Sequence, residues 1–309
     1  MLSYIVRRFL QTIPILFIAV TVVFVLLSVL PGDVALLAGD PRIGNASPEA
    51  LQRIREECGL NKPLIIRYLD YLGGLVKGNL GFSFRTQEYV ATLIGPRILA
   101  TLKLAIPAGV LALSLGVVLG SLAAIFSGSL IDFSLMIVAV IGISAPAFWL
   151  AVLLMYFFAV TLQLLPPSGY GQPLCSVLPV LSLTIGYSAL IARTTRASVL
   201  DVINEDYVTT ARGKGVSEAR VLYKHVFRNA ILPIMTIAGL EMGSLFAGTV
   251  IIEKVFSWPG LGSFLVNSVL KRDIAAAQGA ILIYFSVFVF INFLTDILYV
   301  YADPTITYE

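Results

Sequence analysis

Leu104-Ala-Ile-Pro-Ala-Gly-Val-Leu-Ala-Leu-Ser-Leu-Gly-Val-Val-Leu-Gly-Ser-Leu-Ala-Ala-Ile-Phe126 contains no aspartate, glutamate, lysine or arginine, and neither does the longer stretch 133–174. Each exceeds the roughly 20 residues a helix needs to cross a bilayer. Lipid offers the backbone no hydrogen-bond partner, so uncharged runs of this length fold as helices. A transmembrane barrel would instead show alternating polarity in segments of about ten residues, and that pattern is absent. The class is therefore an all-α integral membrane protein. Composition agrees: of 309 residues, 58% are apolar and only 13% charged, against about a quarter charged in soluble domains.

Outward from that stretch, six spans are expected, at 9–30, 99–126, 131–162, 176–192, 231–252 and 274–301. Arg7-Arg8 ahead of the first gives it the outline of a signal peptide. Its apolar run is longer than the usual ~7–15 residues and enters Pro31-Gly-Asp33 without a small-x-small cleavage site, so it reads as a retained helix. The chain then divides into an N-terminus with the first helix (1–30), an outer segment (31–98) and a core (99–309) containing a polar loop, 199–230. Lysine and arginine set the orientation. Arg193, Arg196, Arg212, Lys214, Arg220, Lys224 and Arg228 crowd one loop, while Lys254, Lys271 and Arg272 alone occupy the next. With Arg7 and Arg8 on the same side, both termini are expected in the cytoplasm.

The polar loop begins Asp201-Val-Ile-Asn-Glu-Asp-Tyr-Val-Thr-Thr-Ala-Arg-Gly-Lys-Gly-Val-Ser-Glu-Ala-Arg220 and ends at Pro233. It is expected to form a helix–turn–helix. Val199, Ile203, Tyr207 and Thr210 or Ala211 recur at helical spacing. Gly213-Lys214-Gly215 breaks the helix, because glycine is costly in a helix interior and readily takes positive φ. Ser217 is placed to cap a second helix with Glu218 in its first turn, and Pro233 to turn the chain into the fifth span. Short helices on a membrane surface fit a partner's cleft or rest on anionic lipid; composition leaves both open. In the outer segment, Ser47-Pro48-Glu49 has the form of a helix start, followed by Leu51, Ile54 and Arg55 at helical spacing. A second amphipathic stretch runs from Pro63 to Gly73-Gly74, and Gly78-Asn-Leu-Gly81 reads as a turn.

Several chemistries are excluded. One histidine, His225, and two cysteines provide no zinc site, and no Gly-x-x-x-x-Gly-Lys-Ser/Thr phosphate loop is present. The chain is not expected to hydrolyse ATP by itself or to bind nucleic acid. Cys58 and Cys175 both fall on the outer side, where a bridge is permitted; two free thiols are the expectation. Ionisable residues within or beside spans are Lys103, Asp132, Glu241 and Asp296. Such groups usually face a cavity or partner. Glu241 is judged the deepest, with Gly239 and Gly243 beside it allowing close helix approach, so these three are candidates for the pathway or for helix packing. The others lie nearer span ends, where they can snorkel.

Asp206-Tyr-Val-Thr-Thr-Ala-Arg-Gly-Lys-Gly215 with Val221-Leu-Tyr-Lys-His-Val-Phe-Arg-Asn-Ala-Ile-Leu-Pro233 resembles the EAA loop of binding-protein-dependent ABC transporter permeases. Met1-Leu-Ser-Tyr-Ile-Val-Arg-Arg-Phe-Leu10, Leu30-Pro-Gly-Asp33, Gly78-Asn-Leu-Gly-Phe-Ser83 and Glu253-Lys-Val-Phe-Ser-Trp-Pro-Gly-Leu-Gly262 are similar to the peptide/opine/nickel branch, in particular to the first permease subunit of dipeptide and oligopeptide importers. Where the general motif has Glu-Ala-Ala, this chain has Thr209-Thr-Ala211, so an ionic contact through that glutamate has no counterpart. The resemblance implies a permease subunit in a prokaryotic inner membrane. Its partners would be a second homologous permease (a heterodimer), two ATPase subunits carrying ATP and Mg²⁺, and an extracytoplasmic binding protein, with lipid around them. It implies that Glu205, Asp206, Tyr207, Thr210, Ala211, Arg212, Gly213, Lys214, Gly215, Ser217 and Glu218 form the coupling surface for one ATPase. The chain itself would bind no cofactor. A self-powered secondary transporter or channel using Glu241 is the alternative, although secondary carriers usually show paired broken helices.

Overall fold

The computed structural model describes residues 2–29, 52, 61–83 and 85–302. The expectations placed on Ser47–Arg55 and on Cys58 lie, save for position 52, outside the described residues. Five helices among those described are long and apolar enough to cross a membrane, and a bent pair raises the number to six if it counts as one span.

Helix α1 (Leu2–Val29) packs along the last helix, with Arg8 Nε donating to Asp296 Oδ2 at 2.5 Å. Asp296, expected to reach the interface unaided, thus has a partner. Helix α2 (Leu64–Val76) lies against the other end of α1, where Phe24 meets the rings of Tyr68 and Tyr71 at 5.2 and 5.7 Å. It runs through Gly73-Gly74 before ending. The expected turn follows, with Gly78 and Gly81 at φ +77° and +102°. A two-residue hairpin, β1 (Phe82–Ser83) and β2 (Glu88–Tyr89), leads directly into α3 (Val90–Ile125). That helix starts ahead of the expected residue 99, because Val90 and Ile94 are already buried against Leu261 and Ala280.

The third span is not one helix. Helix α4 (Leu130–Ser144) and helix α5 (Ala147–Leu154, continued by a π-helical turn Met155–Thr161) meet at 107° across Ala145-Pro146. The residue before a proline is pushed to extended backbone, and Ala145 sits at ψ 125°. A turn Pro173–Ser176 contains the buried free thiol of Cys175 and opens α6 (Val177–Ile203). This helix passes well beyond the expected end at residue 192. Of its charges there, Arg193 and Asp201 are exposed while Arg196 makes a half-buried bidentate pair with Asp132, at 2.6 and 2.7 Å.

Beyond α6 lies the polar segment, with α7 (Asp206–Gly213) and α8 (Glu218–Arg220), the latter running through a π-helical turn (Val221–Phe227) into α9 (Arg228–Val255). The short second helix expected to end before Pro233 is instead continuous with the fifth span from Glu218 to Val255, and Pro233 sits inside it. Short α10 (Leu261–Leu270) fills the loop before α11 (Ile274–Ala302). The main core joins α3, α5, α6 and α9 through Leu104, Ala151, Leu178, Leu183, Leu245, Phe246 and Ile252. Close backbone approach sets the α3–α6 contact: a Cβ on Gly116 would stand 2.6 Å from Ile191 Cβ, and one on Gly120 would collide with the Ala192 carbonyl.

Candidate coupling site

The segment after Ile203 turns because its apolar residues are few and spaced to anchor it. Val208 is fully buried and Ala211 nearly so, both seated on Ala124, Val199, Val221, Val226, Ala230 and Ile234. Glu205 stands at the cap position of α7 in extended backbone, without a side-chain cap bond. Asp206 then begins the first turn, where a carboxylate favours the helix dipole. Thr210 returns its hydroxyl to the Asp206 carbonyl at 2.9 Å. Tyr207, 41% exposed, accepts at its hydroxyl from Asn229 Nδ2 at 2.7 Å, which ties the segment to the foot of α9.

The helix stops at Gly213, as expected. Lys214 N–H reaches the Thr210 carbonyl, Gly215 takes φ +77° and Val216 N–H returns to Ala211. Ser217 occupies the cap position of α8, but its side chain makes no cap hydrogen bond. The turn is closed instead by Arg212, which grips Glu218 through Nη2 at 2.7 Å and Nε at 3.2 Å. That hydrogen-bonded carboxylate raises the Arg212 guanidinium above its ordinary range. Glu205, Asp206, Tyr207, Thr210, Arg212, Gly213, Lys214, Gly215, Ser217 and Glu218 all remain exposed. Of the candidate coupling residues, Ala211 alone faces inward.

The membrane candidates separate. Gly239 and Gly243 are packing residues: a Cβ on Gly239 would overlap Thr295 and one on Gly243 would meet the Phe288 ring at 2.9 Å, both on α11. Glu241 lies midway along α9, only partly buried, with Ser244 as its hydrogen-bond partner at 3.5 Å and no ion pair among the described residues. Nearby, Tyr187 donates to the Ser244 carbonyl at 3.0 Å. Lys103, expected near a span end, lies more than three turns inside α3 because that helix already starts at Val90, and its ammonium stands 5.3 Å from the Tyr170 ring. Asp132, expected to snorkel, is buried and paired. Glu241 is not the most buried acid.

That place belongs to Glu253, which is fully buried. Its carboxylate accepts from Thr101 Oγ1 at 2.6 Å and from Ser263 N–H at 2.9 Å, while Thr101 Oγ1 accepts from Leu261 N–H at 2.8 Å. Trp258 joins the knot through Nε1 to the Ala100 carbonyl at 2.9 Å. Glycine is required at 260 because a Cβ there would overlap the carboxylate. Sequence reading missed this knot, although Glu253 flanked by Ile251, Ile252, Val255 and Phe256 was a visible signal for a buried acid.

The family described as binding-protein-dependent transport system inner membrane component matches residues 116–308, and its N-terminal counterpart matches residues 1–105. The chain belongs to this family. The permease is 41% identical, over the full length of both chains, to the glutathione transport system permease protein GsiC of Escherichia coli K12. It is 40% identical, again over both full lengths, to a putative peptide transport system permease protein of Brucella suis. Among solved structures, the inward-facing MetNI methionine ABC transporter matches with TM-score 0.59 at 17% identity, covering 68% of the permease and 96% of that chain. At that identity the likeness concerns the fold. The permease is thus a multi-pass inner-membrane subunit of an ABC importer, of the peptide branch, and not itself an enzyme.

Proposed function

We propose that this permease pairs with a second, homologous permease to enclose a pathway for di- or oligopeptides, glutathione-like peptides among them, delivered by an extracytoplasmic binding protein. Two partner subunits bind ATP and Mg²⁺ and hydrolyse the nucleotide. The exposed turn from Glu205 to Glu218 is the surface that one of them grips, with both termini on the same, cytoplasmic side. Glu241 faces the pathway.

One observation carries this reading. Segment 205–218 keeps nearly all its side chains in water while Val208 and Ala211 fix it rigidly to α3, α6 and α9. A partner that moves the turn therefore moves the helices, as rigid elements with two arrangements transmit coupling. The peptide names of the full-length relatives support the substrate class.

The test is tagged purification from native membranes in mild detergent, with mass spectrometry of the retained proteins. A second permease and ATPases of this family should co-elute. Solitary elution, with solute movement in liposomes that needs no ATP, would replace the importer by a carrier driven through Glu241.

A further inference from the structure

Helix α4 has little to hold it to the bundle. Its buried residues are Asp132, Ala139 and Gly142, a single stripe at helical spacing, while Phe133, Val138, Val140 and Ile141 are exposed. Apolar side chains gain nothing by leaving lipid for another apolar surface, so close packing and polar contacts decide where such a helix sits. Both are present, one near each end of the stripe. Near Ser144, Gly142 brings the backbone close enough that a Cβ would stand 3.1 Å from Ala189 Cβ of α6. Near Leu130, Asp132 takes both forks of Arg196 and also accepts from Gly128 N–H at 3.0 Å.

Arg196 lies one turn before Val199, whose side chain is part of the apolar seat beneath Val208 and Ala211. The same seat includes Ala124, from the end of α3 that Gly116 and Gly120 press against α6. A continuous block therefore runs from the exposed turn, through α6 and α3, to the ion pair and into α4.

We propose that Asp132 and Arg196 are positioning residues for energy coupling. Their bidentate pair clamps α4 to the α3–α6 block, so that displacement of the 205–218 turn carries the first half of the bent span with it. The role rests on reading 205–218 as the ATPase contact. Without the clamp, Gly142 still packs on α6, but the Leu130 end of α4 no longer follows the turn, which still docks while the ATPases still cycle.

The experiment uses the whole assembly in lipid nanodiscs for hydrolysis and in proteoliposomes for uptake, with loaded binding protein, and reads peptide moved per ATP hydrolysed. Asp132→Asn should lower that ratio by about tenfold with ATP hydrolysis maintained. The charge exchange D132R with R196D should restore most of it. Arg196→Lys keeps the charge but loses the fork, and should give an intermediate ratio; it decides the matter if D132N does not assemble. A wild-type ratio in these variants would overturn the proposal, as would an equal loss of hydrolysis and uptake or an exchange no better than D132N alone. If the wild-type assembly shows no ATP-dependent uptake, the importer reading falls and the clamp's role falls with it.

Discussion

Thr101 and Glu253 share a hydrogen bond of 2.6 Å inside the protein, 152 residues apart in the chain. The threonine hydroxyl donates to the carboxylate and accepts from Leu261 N–H, so one side chain joins α3, the end of α9 and the start of α10. Thr101→Val keeps the shape and removes both functions. Leaving a buried donor unsatisfied costs about 1–3 kcal/mol, so the variant should unfold at clearly lower temperature in detergent. Thr101→Ser should stay near wild type. An unchanged midpoint for the valine variant would mean that water replaces the hydroxyl.

Glycine variants should divide by location. Gly239→Val drives a side chain into Thr295 and should prevent stable insertion or lower the yield severely. At Gly213 a Cβ meets nothing within 4 Å, so Gly213→Trp should leave the permease folded. Its loss of ATPase co-elution would place a partner there; full co-elution with normal uptake would remove the coupling role from the turn.

Gly215 differs from Gly213 in backbone rather than in space. Its φ of +77° costs an L-residue roughly 1–2 kcal/mol. Gly215→Ala should therefore soften the turn modestly, and Gly215→Asn, which tolerates that conformation better, should cost less. Hydrogen exchange of the Val216 amide is the readout: the alanine variant should exchange fastest of the three.

Much of this was legible in the sequence, for identifiable reasons. Charge-free runs announced the spans, and Gly213-Lys214-Gly215 announced the turn, because both signals are local. The bend at Ala145-Pro146 was obscured by an apolar run that continues unbroken through it. The reach of α6 to Ile203 was hidden because Arg196 looks like a loop cation until Asp132, 64 residues away, is brought beside it. The apolar flanks of Glu253 signal its burial, but its partners were hidden in the same way, since its donors come from α3 and α10. Tertiary pairing is not written in either neighbourhood.

Glu241 has little to lose within its own chain. Among the described residues its carboxylate bonds with Ser244 alone, so Glu241→Gln should leave thermal stability close to wild type. Peptide uptake should fall severalfold if the side chain meets substrate in the pathway. Unaltered uptake at limiting peptide would make it a lipid-facing or interface residue instead.

The helix that begins at Glu218 and ends at Val255 rises roughly 55 Å, and a buried indole sits three residues past its far end. The chain has two tryptophans, Trp258 and the half-exposed Trp149. With Trp149 replaced by phenylalanine, the emission of Trp258 would come from a single site bonded to the Ala100 carbonyl. A shift in that emission on adding ATP to the assembly would report that movement of the 205–218 turn reaches the far end of α9, and an unchanged emission would report that it stops short of Trp258.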